Sequence, residues 1–193
     1  TFDHFSNILK TKPDLIVIGV SSKGIEWAAN ELSKNLDKDT KILLLTKGLT
    51  IIDDKFETLV EKFRLILDKN KIEDVNISAV AGPCLASGLA NKIKSSVVIA
   101  NKDENIAKQI GEMISTDYYS VEISNDLVGV EVCAAIKNLY SMIIGASEGL
   151  SSMEASKEIK NKYFLNTAAS LMYRSVYELS LIHISEPTRP SSI

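Results

Sequence analysis

Apolar and polar positions along the first two thirds of the chain form blocks that predict strands followed by helices. Short apolar runs, each ending at glycine or polar residues, predict strands at 15–20, 41–45, 76–81, 96–100 and 118–123. Amphipathic stretches between them predict helices at 24–36, 53–68, 84–92 and 104–113, with Asp53 and Asp54 favouring one helix start and Asp103 capping another. Such alternation is typical of βαβ units, so we expect an α/β fold with a parallel sheet.

The pattern changes at Ser124-Asn125-Asp126, after which the sequence predicts only helices, at 127–146 and 163–178. A polar stretch at 151–162 predicts a loop or an exposed helix. The first helix is apolar, yet Lys137 lies in its middle, on the same face as the small residues Cys133, Ala134 and Ser141. Burying an ammonium is unfavourable unless the charge is used or reaches water. Lys137 is therefore either a functional residue or a core-helix lysine that extends to solvent.

Three polar segments follow the predicted strands, at Ser21-Ser22-Lys23, at Lys47 and at Gly82-Pro83-Cys84. Ligands of parallel α/β sheets bind at the carboxyl ends of the strands, so we expect these segments at one functional edge. Taken alone, Lys47 is equally explained as a solvated loop lysine, and Gly82-Pro83-Cys84 as a tight turn with a proline-started helix. We expect Trp27 to lie in the core.

Composition narrows the classes of function. The 193 residues carry a net charge of −3 with both signs interspersed, which gives no basic surface for nucleic acid. Two cysteines are too few for a disulfide framework and fit a reducing cytoplasm. The apolar run at 127–144 has the length of a membrane span, but Glu131, Lys137 and Asn138 interrupt it, which favours a core helix.

Four motifs in register resemble one family. TKGL, AGPCLASGLA, VVIANKD and NDLVGVEVCAAIKNLYSMIIGASEGL occur in this order between Pro13 and Glu178, as in NAD(P)-dependent sn-glycerol-3-phosphate dehydrogenases. The resemblance implies an oxidoreductase that interconverts sn-glycerol 3-phosphate and dihydroxyacetone phosphate with NAD or NADP, for glycerophospholipid synthesis. It also implies a Rossmann-type domain, an all-helical second domain, a cytoplasmic enzyme without a membrane span, and a homodimer.

The same resemblance assigns roles to individual residues. Lys137 is the catalytic base and acid and contacts substrate, and the adjacent Asn138 also binds substrate. Lys47 contacts both substrate and nicotinamide. Gly82 and Cys84 belong to the substrate site and Ala86 to the cofactor site, although the family usually has Ser or Asn in place of Cys84. Arg174 matches an arginine of the helical domain but is equally explained as a surface residue.

The resemblance also predicts how the chain is organised. Residues 1–125 are expected to form a Rossmann-type domain without its first βαβ unit, because no G-x-G-x-x-G is present. Residues 126–179 are expected to begin the helical substrate domain. LSLIHISEPTR resembles a translated sequencing adapter, so residues 180–193 are expected to be a non-native tail, extended or poorly packed. The family's catalytic aspartate and Arg-Asn pair would follow Glu178, so a fragment of this extent is expected to be inactive.

Two other interpretations stay open at this point. The chain is alternatively part of a related two-domain hydroxy-acid dehydrogenase, or a dinucleotide-binding sensor without catalysis. The sequence does not distinguish NAD from NADP, because the residue that contacts the ribose 2′ position would follow a strand that is not present. The dehydrogenase interpretation predicts that Lys47, Gly82 and Lys137 converge on one cleft.

Overall fold

A computed structural model describes residues 7–154 and 165–185 of the chain. In chain order its strands are β1 (Leu15–Ile18), β2 (Lys41–Leu44), β3 (Leu49–Ile52), β4 (Lys55–Thr58), β5 (Ile77–Ala81), β6 (Ser95–Ala100) and β7 (Tyr119–Ser124). Its helices are α1 (Ile25–Leu32), α2 (Leu59–Lys69), α3 (Ala86–Ala90), α4 (Glu104–Ile114), α5 (Leu127–Glu154) and α6 (Leu165–Ser185). The predicted α/β fold class is confirmed.

The main sheet has the strand order β1-β2-β5-β6-β7. All neighbouring pairs are parallel except β5 and β6, which are antiparallel, so the expectation of a sheet parallel throughout is wrong at this one junction. The cause is the short link at 82–94, whose only helix has five residues. A helix of that length rises by only about 7.5 Å, too little to return along the strand, so the chain turns back beside β5.

Two apolar clusters cover the two faces of the sheet. On one face α1, α2 and the first turns of α5 pack on β1, β2 and β5, with Ile25 and Phe63 fully buried at the centre. On the other face α4 packs on β6 and β7 through Ala107 and Ile110. Trp27, which the sequence predicts in the core, is 48% exposed on α1, because Ala28 and Ala29 provide the buried surface of that helix instead.

The segment predicted as one helix at 53–68 divides into a hairpin and a helix. Strands β3 and β4 pair antiparallel, and Asp53 and Asp54 form their turn with φ values of 49° and 59°. These left-handed conformations are tolerated by Asp and belong to hairpin turns. The helix α2 starts only at Leu59, where the Thr58 side chain accepts the N–H of Glu61 at 3.2 Å. The expected role of the two aspartates at a helix start is therefore wrong.

The remaining predicted helices occur with shifted ends. Asp103 caps α4 as predicted, accepting the N–H of Asn105 at 2.8 Å. The helix α1 ends at Leu32 rather than at residue 36, and a short 3-10 turn, Ser22–Gly24, precedes it. The helix α5 is longer than predicted and reaches Glu154. The rest of the predicted polar stretch, residues 155–162, lies outside the described residues.

The chain divides into two compact units, Thr1–Ala134 and Ala135–Ile193, so that residues 127–134 of α5 belong to the first unit. The assignment of residues 126–179 to a second domain stays a prediction. In the second unit Ala168 and Ser175 of α6 are buried, while Arg174 is exposed and pairs with Glu178 one turn on.

The helix α6 runs into the expected tail as far as Ser185, so residues 180–185 are helical rather than extended. Residues 186–193 lie outside the described part.

One described helix segment, Leu127–Leu150, has the length and composition of a membrane span. The core helices of soluble proteins can have the same length and apolar composition. Leu127 and Val130 at its start pack in the core of the first unit, which fits the expected core helix. Beyond Ala134, however, Leu139 and Met142 are 58% and 72% exposed.

Candidate functional site

The strands β1, β2 and β5 end at one edge of the sheet, and the segments that follow them carry the predicted site residues of the first unit. The register aligns Ile18 with Leu44 and Leu44 with Ala79, so the three strands end at nearly the same level. Beyond the strand ends, the Thr46 hydroxyl donates to the Val20 carbonyl at 2.6 Å. This hydrogen bond joins the loop after β1 to the segment that carries Lys47.

Lys47 lies between β2 and β3 and its side chain is exposed. The next residue, Gly48, has φ = 145°, a conformation that a residue with a side chain rarely adopts. A Cβ at Gly48 would also lie 3.7 Å from the Leu59 side chain at the start of α2. The Lys-Gly pair is thus a sharp bend that presents the lysine at the sheet edge while the chain turns into the β3–β4 hairpin.

Gly82 ends β5 where β6 comes closest. A Cβ there would lie 2.7 Å from Val97 Cγ1 and 2.8 Å from the Ser96 carbonyl oxygen, so the position accepts only glycine without movement of β6. The helix expected from residue 84 begins at Ala86, and Leu85 is its N-cap. Pro83 is therefore not at a first helical position, and Cys84 lies in the non-helical turn between β5 and α3.

Four of the six predicted site residues line one cavity of ≈ 220 Å³ in the first unit. They are Lys47, Gly82, Cys84 and Ala86. The apolar remainder of the wall comes mainly from Leu45, directly after β2, and from β5, β6 and α3. Residues from four separate segments of the sequence thus surround one concave space at the carboxyl edge, where α/β sheets bind ligands.

Tyr119 also lines this cavity, and sequence reasoning did not select it. In a sheet parallel throughout, the first residue of β7 would lie at the opposite edge. Because β6 and β7 run antiparallel to β5, and Ser95 pairs with Tyr119, the start of β7 lies beside the end of β5 instead. In the sequence, the short link at 82–94 was the feature that could have indicated this reversal between β5 and β6. Partial burial, and secondarily the nearby Cys84 thiol, raise the pKa of Tyr119 above its ordinary value.

The two remaining predicted site residues, Lys137 and Asn138, lie on α5 in the second compact unit. Lys137 is half-buried and Asn138 is exposed. The Ser141 hydroxyl donates to the Lys137 carbonyl at 3.1 Å, which places Ser141 one turn beyond it on the helix, as the sequence predicts. The convergence of Lys137 with Lys47 and Gly82 stays a prediction.

Glu131 is a buried carboxyl group on α5 that sequence reasoning treated only as an interruption of an apolar run. It is 5% exposed, and its Oε1 accepts the N–H of Val60 at 3.1 Å. Its Oε2 is buried and has no hydrogen-bond partner among the described residues. Burial raises the pKa of Glu131 to about 7, although the Thr58 hydroxyl and the N–H groups of Val60 and Leu59 act in the opposite direction.

The chemistry of the cavity fits a small anionic or carbonyl ligand. Lys47 contributes an ammonium group, and Gly82 leaves backbone accessible beside it. The volume of ≈ 220 Å³ is below the ~300–1,000 Å³ of pockets that enclose drug-sized ligands, so the cavity by itself has room only for a small group. Within the described part of the chain, no group of His, Cys, Asp and Glu residues could hold a metal ion.

The fold is that of a Rossmann-type α/β domain, with a cavity at the carboxyl edge of its sheet. Residues 5–107 match the sequence model described as NAD-dependent glycerol-3-phosphate dehydrogenase N-terminus, which covers more than half of the chain. The chain therefore belongs to the NAD-dependent glycerol-3-phosphate dehydrogenase family.

Individual relatives agree with this assignment. The chain is 27% identical over 176 residues to glycerol-3-phosphate dehydrogenase [NAD(P)+] of Syntrophotalea carbinolica, covering 91% of the chain and 48% of the relative. It is 29% identical over 168 residues to the NADP(+)-dependent glycerol-3-phosphate dehydrogenase of Archaeoglobus fulgidus, covering 86% and 47%. The chain thus spans about half the length of the curated relatives that it matches.

Solved structures support the fold. A glycerol-3-phosphate dehydrogenase from Coxiella burnetii matches with a TM-score of 0.67 and 23% identity, over 91% of this chain and 48% of that one. The corresponding protein of Dunaliella salina matches with a TM-score of 0.70 and 17% identity, over 93% and 28%. At these identities the similarity concerns the arrangement of strands and helices.

Proposed function

We propose that the whole protein to which this chain belongs interconverts sn-glycerol 3-phosphate and dihydroxyacetone phosphate with NAD or NADP. One observation supports this proposal most strongly. Lys47, Gly82, Cys84 and Ala86, selected from the family motifs, line a single cavity at the carboxyl edge of the sheet. The relatives named above carry this activity in their names.

The proposed chemistry assigns separate tasks to the two lysines. NAD or NADP, when bound, exchanges a hydride with the C2 carbon of the substrate. Lys137, half-buried on α5, takes the hydroxyl proton as the neutral amine during oxidation and returns it as the ammonium during reduction. Lys47 contacts substrate and nicotinamide and provides a second positive charge near the reacting oxygen. Asn138 and the Gly82–Cys84 turn hold the substrate, and Ala86 contacts the cofactor.

The wider setting is part of the same proposal. We place the enzyme in the cytoplasm, as a homodimer that supplies glycerol 3-phosphate for glycerophospholipid synthesis. Neither Cys84 nor Cys133 forms a disulfide, which is consistent with a reducing compartment. Size-exclusion chromatography with light scattering tests the dimer, and cell fractionation tests the compartment.

The decisive experiment follows NADH and NADPH oxidation by the whole protein at 340 nm in the presence of dihydroxyacetone phosphate. A panel of keto acids is the comparison, and this chain alone is assayed in parallel. We expect turnover with dihydroxyacetone phosphate only, and none by the chain alone. Turnover with a keto acid would establish a related hydroxy-acid dehydrogenase. Dinucleotide binding without turnover of any substrate would establish a sensor.

A further inference from the structure

A buried carboxyl group joins three parts of the first unit at the edge of the candidate site. Glu131 projects from α5 and accepts the N–H of Val60, the second residue of α2. The N-terminus of a helix carries unpaired N–H groups and a partial positive charge, so a carboxyl group there is favourable. Unlike the usual cap, this acceptor comes from a distant helix, 71 positions further along the sequence.

The contact continues from α2 to the candidate site. Leu59, the first residue of α2, is 1% exposed, and its side chain would lie 3.7 Å from a Cβ added at Gly48, so it packs close to that bend. Glu131 also borders a narrow cavity of ≈ 10 Å³ whose wall includes Thr46, Lys47 and Gly48. Displacement of Glu131 would therefore affect the Lys47–Gly48 bend in two ways, through Leu59 and across this cavity.

We propose that Glu131 is a positioning residue of the candidate site, which fixes the Lys47–Gly48 bend by holding the start of α2 against α5. This proposal rests on the proposed function because it takes from it that Lys47 contacts substrate. Glu131 itself is not proposed to contact substrate. It acts through the backbone of α2 and through the side chains that separate it from Lys47.

The charge state of Glu131 adds an electrostatic effect to this packing role. Among the ionisable groups of the described residues, Glu61 on α2 disfavours the charged form of Glu131, and Lys47 lines the same narrow cavity as Glu131. The residues that β5 contributes to this cavity, Ala79, Val80 and Ala81, carry no charge. In the proposal, an ionised Glu131 adds a negative charge at the cavity that Lys47 also lines, and so weakens the attraction of an anionic substrate.

The first test measures amide hydrogen exchange in this chain, peptide by peptide, and needs no activity. We expect Glu131→Leu to speed exchange about tenfold at residues 46–60, because the Val60 N–H loses its acceptor. Glu131→Gln, which keeps an acceptor of the same size, should retain the protection of the wild type. Glu122→Gln on β7, whose side chain is exposed, is the matched control and should change nothing in this segment.

The second test measures KM for dihydroxyacetone phosphate in the whole protein between pH 6 and pH 8. We expect KM of the wild type to rise roughly threefold to tenfold with pH, and KM of Glu131→Gln to rise by clearly less. A role in stability alone would leave the two profiles parallel. If the whole protein lacks this activity, the proposed function fails, while hydrogen exchange still decides the positioning role.

The proposal is overturned if Glu131→Leu folds and its residues 46–49 exchange at the wild-type rate. If that variant does not fold, the wild type and Glu131→Gln are compared by exchange at pH 6 and pH 8, after correction for the intrinsic rates. The proposal then requires faster exchange of residues 46–49 at pH 8 in the wild type only, and equal behaviour of the two proteins contradicts it.

Discussion

At the scale of single residues, Glu131 gives the first unit a stability that depends on pH. Its pKa in the folded state, about 7, lies above the ordinary value of 4.5, so the folded state holds the proton more tightly than the unfolded state. The resulting stabilisation is complete below pH 4.5 and is lost as pH rises to about 7. The shift corresponds to about 3 kcal/mol of unfolding free energy.

Glu131→Gln removes this titration while preserving the acceptor for Val60. We expect the variant to exceed the wild type in unfolding free energy at pH 8, by up to about 3 kcal/mol, and to approach it at pH 5. Urea denaturation followed by circular dichroism at pH 5, 6, 7 and 8 measures the difference. Glu122→Gln should follow the wild type at every pH. A constant offset between Glu131→Gln and the wild type would contradict the titration.

Gly82 and Gly88 allow a matched comparison of two glycines within the same link. An alanine at Gly82 would meet Val97 Cγ1 at 2.7 Å, so we expect Gly82→Ala to lose about 1–3 kcal/mol of unfolding free energy. At Gly88, inside α3, the nearest atom is 4.0 Å away, and Gly88→Ala should gain about 0.5–1 kcal/mol. Chemical denaturation of both variants measures the contrast, and equal effects at the two sites would show that β6 moves to accommodate the methyl group.

At the scale of elements, the β3–β4 hairpin shows where local pattern was insufficient. The apolar run Leu49–Ile52 and the charged run after it were compatible with a strand or with the start of an amphipathic helix. Only the left-handed backbone at Asp53 and Asp54 distinguishes them, and Asp is among the residues that tolerate it. The strands of the main sheet were predictable because each is a short run rich in apolar residues that ends in polar or turn residues.

The hairpin turn provides the next prediction. Replacing Asp53-Asp54 by Asn-Gly provides the residue pair that two-residue turns with positive φ prefer. We expect a gain of about 1 kcal/mol in unfolding free energy, because glycine adopts the φ of 59° without steric conflict. Asp117→Gly is the control. Asp117 precedes β7 and does not have a positive φ, so the added flexibility of glycine should leave the unfolding free energy unchanged or lower it. A loss of stability in the Asn-Gly variant would count against this turn geometry.

The candidate site was predictable to the extent that it depends on strand ends. Lys47 and Gly82 follow two short apolar runs, β2 and β5, and strand ends in a parallel α/β sheet share an edge, so their proximity follows from pattern alone. Tyr119 was not predictable in the same way, because its place depends on the reversal between β5 and β6. Glu131 was missed because a carboxylate in an apolar helix signals burial but does not identify the partner, here a helix N-terminus far away in sequence.

At the scale of the whole molecule, the proposed mechanism requires residues from both compact units to act together. Lys47, Gly82, Cys84 and Ala86 belong to the first unit, and Lys137 belongs to the second. If Lys137 is a lysine that only extends from a core helix to solvent, its removal should matter little to catalysis. If it transfers the substrate proton, its removal should affect the rate of the chemical step itself.

Lysine-to-methionine substitutions in the whole protein separate these cases, because methionine keeps the length and apolar packing and removes the charge. We expect Lys137→Met to lower kcat by roughly 10²–10⁴-fold, the usual contribution of general acid–base catalysis, with little change in dinucleotide affinity. Lys47→Met should lower kcat and also raise KM, because Lys47 is assigned to binding and to charge stabilisation together. Lys69→Met, in the last turn of α2, is the exposed control. Near-normal kcat in Lys137→Met would show that Lys137 does not transfer the substrate proton and only extends from a core helix to solvent, and the proposed mechanism would have to be abandoned.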